Sequence, residues 1–396
     1  MLVRPIKPEE MQKARDIFDI AFGMERKPRD PDKPEDPDAH VDIRAAFNEA
    51  GVMMGLFHLI PYTVWYEGHQ VGMGGIGGVA TLPEHRRYGS IRAVFDYCLR
   101  EMYERGMLVS TLYPFSYAYY RKFGYETAFV RRRLQVKMSE FARFRSDESI
   151  TQWMPGDDEA PLRQVYDSFV RNTNMAVCRE DENWEWKLKG DPFEKRRYIY
   201  LWRDTNGEPT SYVILGVGDI EKYVRHLHVQ DFACRGPGGT QGLFALLRNM
   251  SAAYEQFIWE MPPWIDPNTL FHEPIEAKQE IQPRGMARII NVGESLRLLR
   301  HPEAPGSYTL RVIDAQLPEN DGVWQVEFGS GQAQAKKVQS GEADWTLDIR
   351  AFTQLVLGFY DVDAMLWNWP EAGAPANIDT LQRVFRRRKL FLADYF

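Results

Sequence analysis

The sequence has few cysteines, and their spacing matches no known pairing motif. Its 396 residues include three, Cys98, Cys178 and Cys234, which lie far apart and form no CxxC motif. This spacing excludes a disulfide framework and suggests no zinc site. No apolar run approaches the ~18 residues of a membrane span, and the start, MLVRPIKPEEMQ, has no apolar signal segment. We therefore expect a protein of the reducing cytoplasm that does not cross a membrane.

The sequence also has no excess of basic over acidic residues. The chain has 56 acidic and 49 basic residues, a formal net charge of -7, which argues against a partner such as nucleic acid. The RRRK run at 386–389 is then interpreted as a solvated face or a subunit contact. A hydrophobic content of 44% is ordinary for a globular protein, and the length predicts two or three domains of about 150 residues each.

One loop has the properties of a phosphate site, although it has neither the GxxxxGK nor the GxGxxG spacing of nucleotide loops. In GGVATLPEHRRYGSIRAVF a predicted strand enters a turn with Arg86, Arg87 and Gly89, and a helix follows at once. A helix start offers unpaired N–H groups and a positive dipole end, which suit phosphate. The competing interpretation is a charged turn without a ligand.

The order of predicted elements repeats along the chain. The first half predicts a helix at 8–24, an acidic loop over Asp30–Asp38, a further helix near 41–48, strands joined at Glu67-Gly68-His69, a helix at 90–106 and a strand at 107–114. The second half predicts a hairpin at Asn206-Gly207, a strand at 224–234, a helix at 242–257 and another strand. This recurrence indicates a diverged duplication, and the pattern changes from about Met286 to an α+β unit.

Two motifs carry a family resemblance. VATLPEHRRYGSIRAVF resembles the acetyl-CoA pyrophosphate loop of the GCN5-related N-acetyltransferases, with Arg86 and Gly89 in place and Ile91 departing from the small third residue. YYRKFGYETA resembles their downstream Tyr-x-x-x-Gly-Phe/Tyr element, with Tyr120, Gly124 and Tyr125. The chain as a whole, including GEADWTLDIRAFTQLVLG, resembles the Eis-type (enhanced intracellular survival) acetyltransferases.

The resemblance implies an α/β (α+β) fold class with two tandem acetyltransferase units, the second degenerate, followed by a sterol-carrier-like α+β domain. The expected domains are 1–140, catalytic and CoA-binding, then 141–285, and 286–396, which would carry a catalytic C-terminus. The second unit has only Arg235 before its glycines, so we expect it to have lost CoA binding. The family forms hexamers, which implies a homo-oligomer.

The resemblance also assigns the cofactor site. Acetyl-CoA is the expected co-substrate, and no metal is expected. The family's backbone contacts to the pantetheine map onto Val79, Ala80 and Thr81. The remaining contacts map onto Arg86, Arg87, Tyr88, Gly89, Ser90, Ile91, Arg92 and Tyr120. The glycines at 74, 75, 77 and 78 would allow close approach of a ligand or form a bulged strand.

Two groups would carry the chemistry of the family. Tyr125 matches the general-acid tyrosine, because a phenol with a pKa near ~10 is protonated at neutral pH. The unusual general base of the Eis type is the C-terminal carboxylate, here that of Phe396, at the end of the hydrophobic segment LADYF. The competing interpretations are a core tyrosine and a terminus docked for packing alone.

The acceptor and the role of the third domain stay open. Primary amines are expected, such as aminoglycosides, polyamine-like compounds or lysine side chains, and the net negative charge favours a cationic one. The alternative is a catalytically idle lipid- or acyl-CoA-binding protein that uses the sterol-carrier-like domain. His226 and His228 share one strand face near Cys234, but no fourth ligand for zinc is evident.

Overall fold

The structure, a computed structural model, describes residues 1–25, 42–221, 224–236 and 238–394. The acidic loop over Asp30–Asp38 lies outside the described residues, and so do Tyr395 and Phe396. No helix in the described ranges is long and apolar enough to cross a membrane.

The first unit follows the predicted element order with one exception. The predicted helix near 41–48 is wrong, because Asp42–Phe47 is a strand that pairs with a neighbour on each side. Ala45 packs into one core and Ala46 into another, so burial on both faces removes the alternation that normally marks a strand. The elements are β1 (Leu2–Pro5), α1 (Met11–Phe22), β2 (Asp42–Phe47), β3 (Met53–Tyr66), β4 (His69–Thr81), α2 (Ser90–Glu104), β5 (Val109–Leu112), α3 (Tyr117–Arg121) and β6 (Glu126–Lys137).

The second unit repeats this plan. The predicted hairpin at Asn206-Gly207 is confirmed, and the helix predicted at 242–257 is present with its start and end earlier in the chain. The elements are β7 (Ser149–Trp153), α4 (Ala160–Val170), α5 (Asp181–Leu188), α6 (Pro192–Lys195), β8 (Arg197–Arg203), β9 (Pro209–Glu221), β10 (Val224–Cys234), α7 (Gly238–Met250), β11 (Gln256–Glu260) and β12 (Lys278–Ile289).

The two units share one sheet and exchange a strand. Among the described residues the sheet order is β1-β2-β3-β4-β5-β12-β6-β11-β10-β9-β8-β7. The last strand of the second unit, β12, lies between β5 and β6, while β6 of the first unit lies beside β11. From one end of the sheet, the five strands β1 to β5 are followed by β12, the last strand of the second unit. From the other end, the five strands β7 to β11 are followed by β6, the last strand of the first unit. This pseudo-twofold arrangement agrees with the predicted duplication.

The remaining elements form a compact α+β unit on one face of this sheet. Its four-stranded sheet has the order β15-β14-β13-β16. The change of pattern at Met286 falls inside β12, which belongs to the large sheet. The elements are α8 (Val292–Leu298), β13 (Gly306–Ile313), β14 (Gly322–Gly329), β15 (Gln332–Val338), β16 (Trp345–Asp348), α9 (Ile349–Val356), α10 (Val362–Asn368) and α11 (Ile378–Val384).

Helix α9 joins this unit to the exchanged strands. The Thr353 hydroxyl accepts a hydrogen bond from the Ile289 amide at 3.0 Å, and the Gln354 amide donates to the Thr127 carbonyl at 2.6 Å. Phe352 and Leu355 of this helix are buried in one core with Val64 and Met73 of the first unit. The C-terminal unit therefore covers the apolar face of the sheet near β5, β6 and β12.

Candidate active site

The edge of β4 becomes open where it diverges from β5. The two strands pair in parallel from Met73–Val109 to Ile76–Leu112, and no further pairing of β4 with β5 occurs in the described chain. On its other side β4 stays paired with β3, with a register shift between Leu56 and His58. Beyond Ile76, backbone groups of β4 on the β5 side are free for a ligand. Val79, Ala80 and Thr81 lie in this segment, Ala80 buried and the other two half-buried.

The start of α2 presents backbone amides without a capping side chain. Gly89 is the N-cap residue, and no side chain accepts a hydrogen bond at this end of the 15-residue helix. Arg86, Arg87, Tyr88 and Gly89 are all exposed. An exposed helix start with two guanidinium groups beside it has the properties of an anion site.

The other residues mapped onto this loop are placed differently. The side chains of Ser90 and Ile91 are buried, and Ile91 packs in the core beneath the helix. Only their amides could therefore reach a ligand. Arg92 is exposed, with its guanidinium carbon 5.7 Å from the ring centre of Phe123. Tyr120 is buried in an aromatic cluster whose nearest members include Phe115, at a centroid distance of 5.3 Å.

Tyr125 is fully buried and hydrogen-bonded. Its hydroxyl lies 2.7 Å from Ser110 Oγ, which in turn donates to the Gly74 carbonyl at 2.7 Å. Because Ser110 has one hydroxyl proton and uses it on Gly74, the Tyr125 hydroxyl is the donor to Ser110. Burial raises the pKa of Tyr125 above its ordinary value. The phenol is therefore held protonated at neutral pH.

The C-terminal segment Leu390–Asp394 runs between the two acetyltransferase units. The Asn174 amide donates to the Lys389 carbonyl at 2.7 Å, and the Phe391 amide donates to the Asn174 carbonyl at 3.2 Å. The Tyr113 hydroxyl, just past β5, donates to the Asp394 carbonyl at 2.7 Å. These bonds attach the segment to both units; Phe396 itself lies outside the described residues.

A buried charge cluster anchors the end of this segment. Arg179, with a fully buried side chain, pairs with Asp231 at 2.6 Å and with Asp394 at 3.1 Å, and Lys187 also lies 3.1 Å from Asp394. The Tyr212 hydroxyl donates to Asp231 at 2.7 Å. Burial would raise the pKa of Asp231, but the charges of Arg179 and Lys187 and the hydrogen bonds from Arg179 and Tyr212 together outweigh it and hold that pKa below its usual range. The cluster therefore stays ionised.

A cavity of about 920 Å³ opens beside the C-terminal segment. It lies where β10 diverges from β11, since these strands pair in parallel over His226–His228 and Gln256–Ile258 and then separate. By the pseudo-twofold axis this place corresponds to the open edge of β4. The cavity is lined by Val229–Phe232, Trp259–Pro262 and Leu390–Asp394, among others.

The second unit differs from the first at its helix start. Helix α7 begins with the glycines at 238 and 239, and Arg235 lies 3.9 Å from Glu208. No second arginine stands beside Arg235 in the sequence. The guanidinium pair of the first unit is therefore not repeated.

The histidine pair of β10 has no metal-site geometry. The rings of His226 and His228 are 5.7 Å apart, and burial lowers the pKa of both. In the described residues no three or more His, Cys, Asp or Glu side chains are grouped so that they could hold a metal ion.

Sequence reasoning missed several residues that the fold brings together. Arg179, Asp231 and Asp394 are far apart in the chain, and no motif connects them. The one local signal was the pair of hydroxyl residues Ser110 and Thr111 within the predicted buried strand MLVSTLYP. A buried strand hydroxyl needs a partner, and Tyr125 provides it.

Comparison with known proteins assigns a family to each part of the chain. Acetyltransferase (GNAT) domain models match residues 2–128 and 175–289, and a sterol carrier protein domain model matches residues 292–393. No curated protein matches the chain. The predicted fold class, with two acetyltransferase units and a sterol-carrier-like domain, is confirmed.

Solved structures share this fold over the full length. A probable N-acyltransferase of unknown function from Enterococcus faecalis V583 is 24% identical, with 100% of this chain and 99% of that chain covered and a TM-score of 0.86. A GCN5-related N-acetyltransferase from Anabaena variabilis ATCC 29413 is 20% identical, with 100% of both chains covered and a TM-score of 0.85. Eis1 from Mycobacterium abscessus is 18% identical, with 100% of both chains covered and a TM-score of 0.79. With two acetyltransferase (GNAT) domains that together match more than half of its residues, followed by a sterol carrier protein domain, the chain belongs to the GNAT acetyltransferases, and its fold is similar to that of Eis1 over the full length.

Proposed function

We propose that the chain transfers an acetyl group from acetyl-CoA to a primary amine carried by an aminoglycoside, a polyamine-like compound or a lysine side chain. The observation that carries the proposal is the open edge of β4 beside the uncapped, arginine-flanked start of α2. The edge would hold the pantetheine amides through Val79, Ala80 and Thr81, and the residues from Arg86 to Arg92 would hold the pyrophosphate. Tyr120 would support this site from its aromatic cluster.

Acetyl-CoA, when bound, would supply the acyl group as a thioester. In the proposed reaction the amine nitrogen bonds to the carbonyl carbon and the carbon–sulfur bond breaks. The carboxylate of Phe396 takes the amine proton, and Tyr125 gives its proton to the leaving thiolate. Burial keeps the Tyr125 phenol protonated, as a general acid must be before the reaction, and its donation to Ser110 implies that the hydroxyl must turn toward the sulfur.

The route of Leu390–Asp394 supports the role of Phe396. Asp394 is attached to Tyr113 of the first unit and to Arg179 of the second. Asp394 therefore lies next to both the β5 end and the cavity at β10 and β11. We propose that this cavity receives the acceptor.

The division into domains at 1–140, 141–285 and 286–396 also remains part of the proposal, with catalysis in the first and at the end of the third. So do a cytoplasmic location and a homo-oligomeric, hexameric assembly. Light scattering of the purified protein tests the assembly, and a monomer at micromolar concentration would contradict it.

The carrier alternative gains no support from the sterol carrier protein domain. The helix α9 and the sheet of that domain pack against the acetyltransferase units and share a core with them. A structural role thus accounts for its presence.

A thiol-release assay with acetyl-CoA and a panel of primary amines tests the function. The native chain is compared with one extended by a few residues past Phe396, and with a control that carries the same residues before Met1. We expect turnover in the native chain and the control, with loss in the extended chain. Equal activity in all three would rule out the terminal carboxylate as base. No turnover with any amine, together with no CoA binding, would rule out the acetyltransferase function.

A further inference from the structure

The acceptor cavity is more basic than the protein around it. The chain carries a formal net charge of -7. The wall of the cavity nevertheless contains seven arginine and lysine residues against four carboxylates. This reversal of charge matters because a low-dielectric concave wall of one sign attracts ligands of the other.

Two of the four carboxylates are already neutralised. Asp231 and Asp394 are held by Arg179 and Lys187 in the buried cluster described above. They therefore offer little attraction to a cationic ligand.

A third carboxylate is shared between two guanidinium groups. Glu260 pairs with Arg131 at 2.6 Å and also with Arg284. One negative charge cannot neutralise both cations. The Nε atoms of Arg131 and Arg284 are moreover buried without a hydrogen-bond partner in the described structure. This pair is held in place by Glu260 and keeps unused donors.

Three further cations of the cavity wall form no ion pair within the described residues. They are Lys189, Lys195 and Arg197. Arg197 is half-buried, and its Nε donates to Gln230 Oε1 at 2.7 Å. Burial lowers the pKa of Arg197, with Asp231 offsetting this in part. An anion in the cavity would therefore stabilise the Arg197 charge.

Among the acceptors of the proposed function, we propose that this cavity selects primary amines that also carry an oxyanion, either a carboxylate or a phosphate, and disfavours aminoglycosides and polyamine-like compounds, which carry neither. The oxyanion binds between Arg197 and the Arg131–Arg284 pair, and Trp259 contributes an apolar wall. The amine end lies toward Leu390–Asp394 on the same cavity. That the ligand is the acetyl acceptor rests on the proposed function. The preference for an anionic ligand can be measured by binding alone.

The test uses matched ligands that differ only in the anionic group. One pair is a short ω-amino carboxylic acid and its amide; the other is an aminoalkyl phosphate and the parent amino alcohol. A diamine of the same length is the cationic probe. Binding is measured by calorimetry at low salt without acetyl-CoA, on the native chain and on Arg197→Gln, Arg284→Gln and the remote control Lys336→Gln. Lys336 is exposed on β15 and does not line the cavity.

We expect the anionic member of at least one pair to bind about tenfold more tightly than its neutral partner, as for one charge-assisted hydrogen bond. Both cavity variants should reduce this preference at least fivefold, whereas Lys336→Gln should leave it unchanged. The carboxylate and phosphate pairs then show which oxyanion is recognised. Equal or tighter binding of the neutral amines or the diamine, or a preference that survives in both cavity variants, overturns the proposal.

Turnover with the same ligands separates this inference from the proposed function. If the anionic ligands bind preferentially but no amine is acetylated, the anion site stands and the acetyltransferase proposal fails. If neutral amines and diamines are acetylated as efficiently as the anionic ones, the acetyltransferase proposal stands and the anion selectivity fails.

Discussion

At the scale of single residues, the site depends on the hydrogen bond of Tyr125 and on the close packing of Gly124. The Tyr125 hydroxyl donates a hydrogen bond to Ser110 Oγ, and the Ser110 hydroxyl donates one to the Gly74 carbonyl. The phenol is therefore oriented by the sheet. Gly124, directly before Tyr125, is covered by the guanidinium of Arg288. The position of the tyrosine therefore follows from contacts on both sides of it.

Tyr125→Phe should remove the proton donor and keep the ring. We expect kcat for acetyl transfer to fall by about 10²–10⁴-fold, the range of general acid catalysis, and stability to fall by about 1 kcal/mol for the lost hydrogen bond. Steady-state kinetics at saturating acetyl-CoA and denaturant unfolding measure the two effects. Tyr360→Phe, in the C-terminal unit, is the matched control. A kcat within twofold of native would remove Tyr125 from the proposed chemistry.

Gly124→Ala should destabilise the protein strongly. An alanine Cβ would lie 1.7 Å from Arg288 Nη1 at a φ of +78°. Arg288 cannot move easily, because its side chain is buried and bonded to Asp314 at 2.7 Å. We expect a loss of about 3 kcal/mol or more from overpacking and backbone strain together.

Gly106→Ala is the control for that change. Gly106 also has a positive φ, +70°, but its Cβ would meet nothing within 4 Å. We expect it to cost about 1–2 kcal/mol from the backbone alone. Equal losses in the two variants by chemical denaturation would show that Arg288 adapts to the new side chain.

At the scale of elements, one buried arginine connects three parts of the chain. Arg179 comes just before α5, Asp231 lies in β10, and Asp394 belongs to the segment that follows α11. The guanidinium of Arg179 remains charged in this buried position because two carboxylates and the Tyr212 hydroxyl surround it. The cluster therefore couples the position of the C-terminal segment to the fold of the second unit.

Arg179→Gln should leave Asp231 and Asp394 buried with weaker compensation. We expect a loss of about 3–5 kcal/mol in unfolding free energy and lower acetyl transfer, because the C-terminal segment loses its anchor. Urea unfolding and the thiol-release assay measure these effects, with Arg248→Gln on α7 as control. Native stability in the variant would show that the two carboxylates become protonated at little cost.

The same cluster predicts sensitivity to acid. The folded pKa of Asp231 lies below its ordinary value, so its contribution to stability is fully present above the unfolded pKa of about 3.9. It is lost as the pH falls through the folded pKa, because the unfolded state then binds more protons. Unfolding free energies measured from pH 6 to pH 2 should fall less steeply in Asp231→Asn than in native protein. The exposed control Asp147→Asn should keep the native slope.

At the scale of the whole molecule, the exchanged strands make the two acetyltransferase units dependent on each other. β12 contributes to the sheet of the first unit between β5 and β6, and β6 pairs with β11 of the second. The C-terminal unit then covers these strands through α9. Few of these contacts are local in sequence.

The isolated fragment 1–140 should therefore not fold. Without β12, strands β5 and β6 each lose the strand that lies between them, and the Phe129 side chain, buried in the full chain, becomes exposed. We expect no cooperative thermal transition by circular dichroism, and recovery of one when residues 141–396 are co-expressed. A cooperative transition in the fragment alone would show that the first unit is independently stable.

Several features of this protein could be predicted from its sequence alone because they depend on neighbouring residues. The helical spacing from Ile91 to Met102, the turn at Glu67-Gly68-His69 and the loop from Arg86 to Arg92 are local patterns, and local patterns fix local structure. The element order in turn predicted the duplication, and the family resemblance implied the fold class. That resemblance was carried by the loop from Arg86 to Arg92 and by the motif YYRKFGYETA.

Tertiary structure alone decided the rest. It placed β12 between β5 and β6, made Asp42–Phe47 a strand, and joined Arg179, Asp231 and Asp394. It also placed more basic than acidic residues around the cavity beside Leu390–Asp394, in a chain of net charge -7 whose composition favoured a cationic acceptor. The physical reason is that strand pairing and the charge around a cavity depend on residues that can lie hundreds of positions apart in the chain. Periodicity depends only on neighbouring residues, and composition is an average over the whole chain.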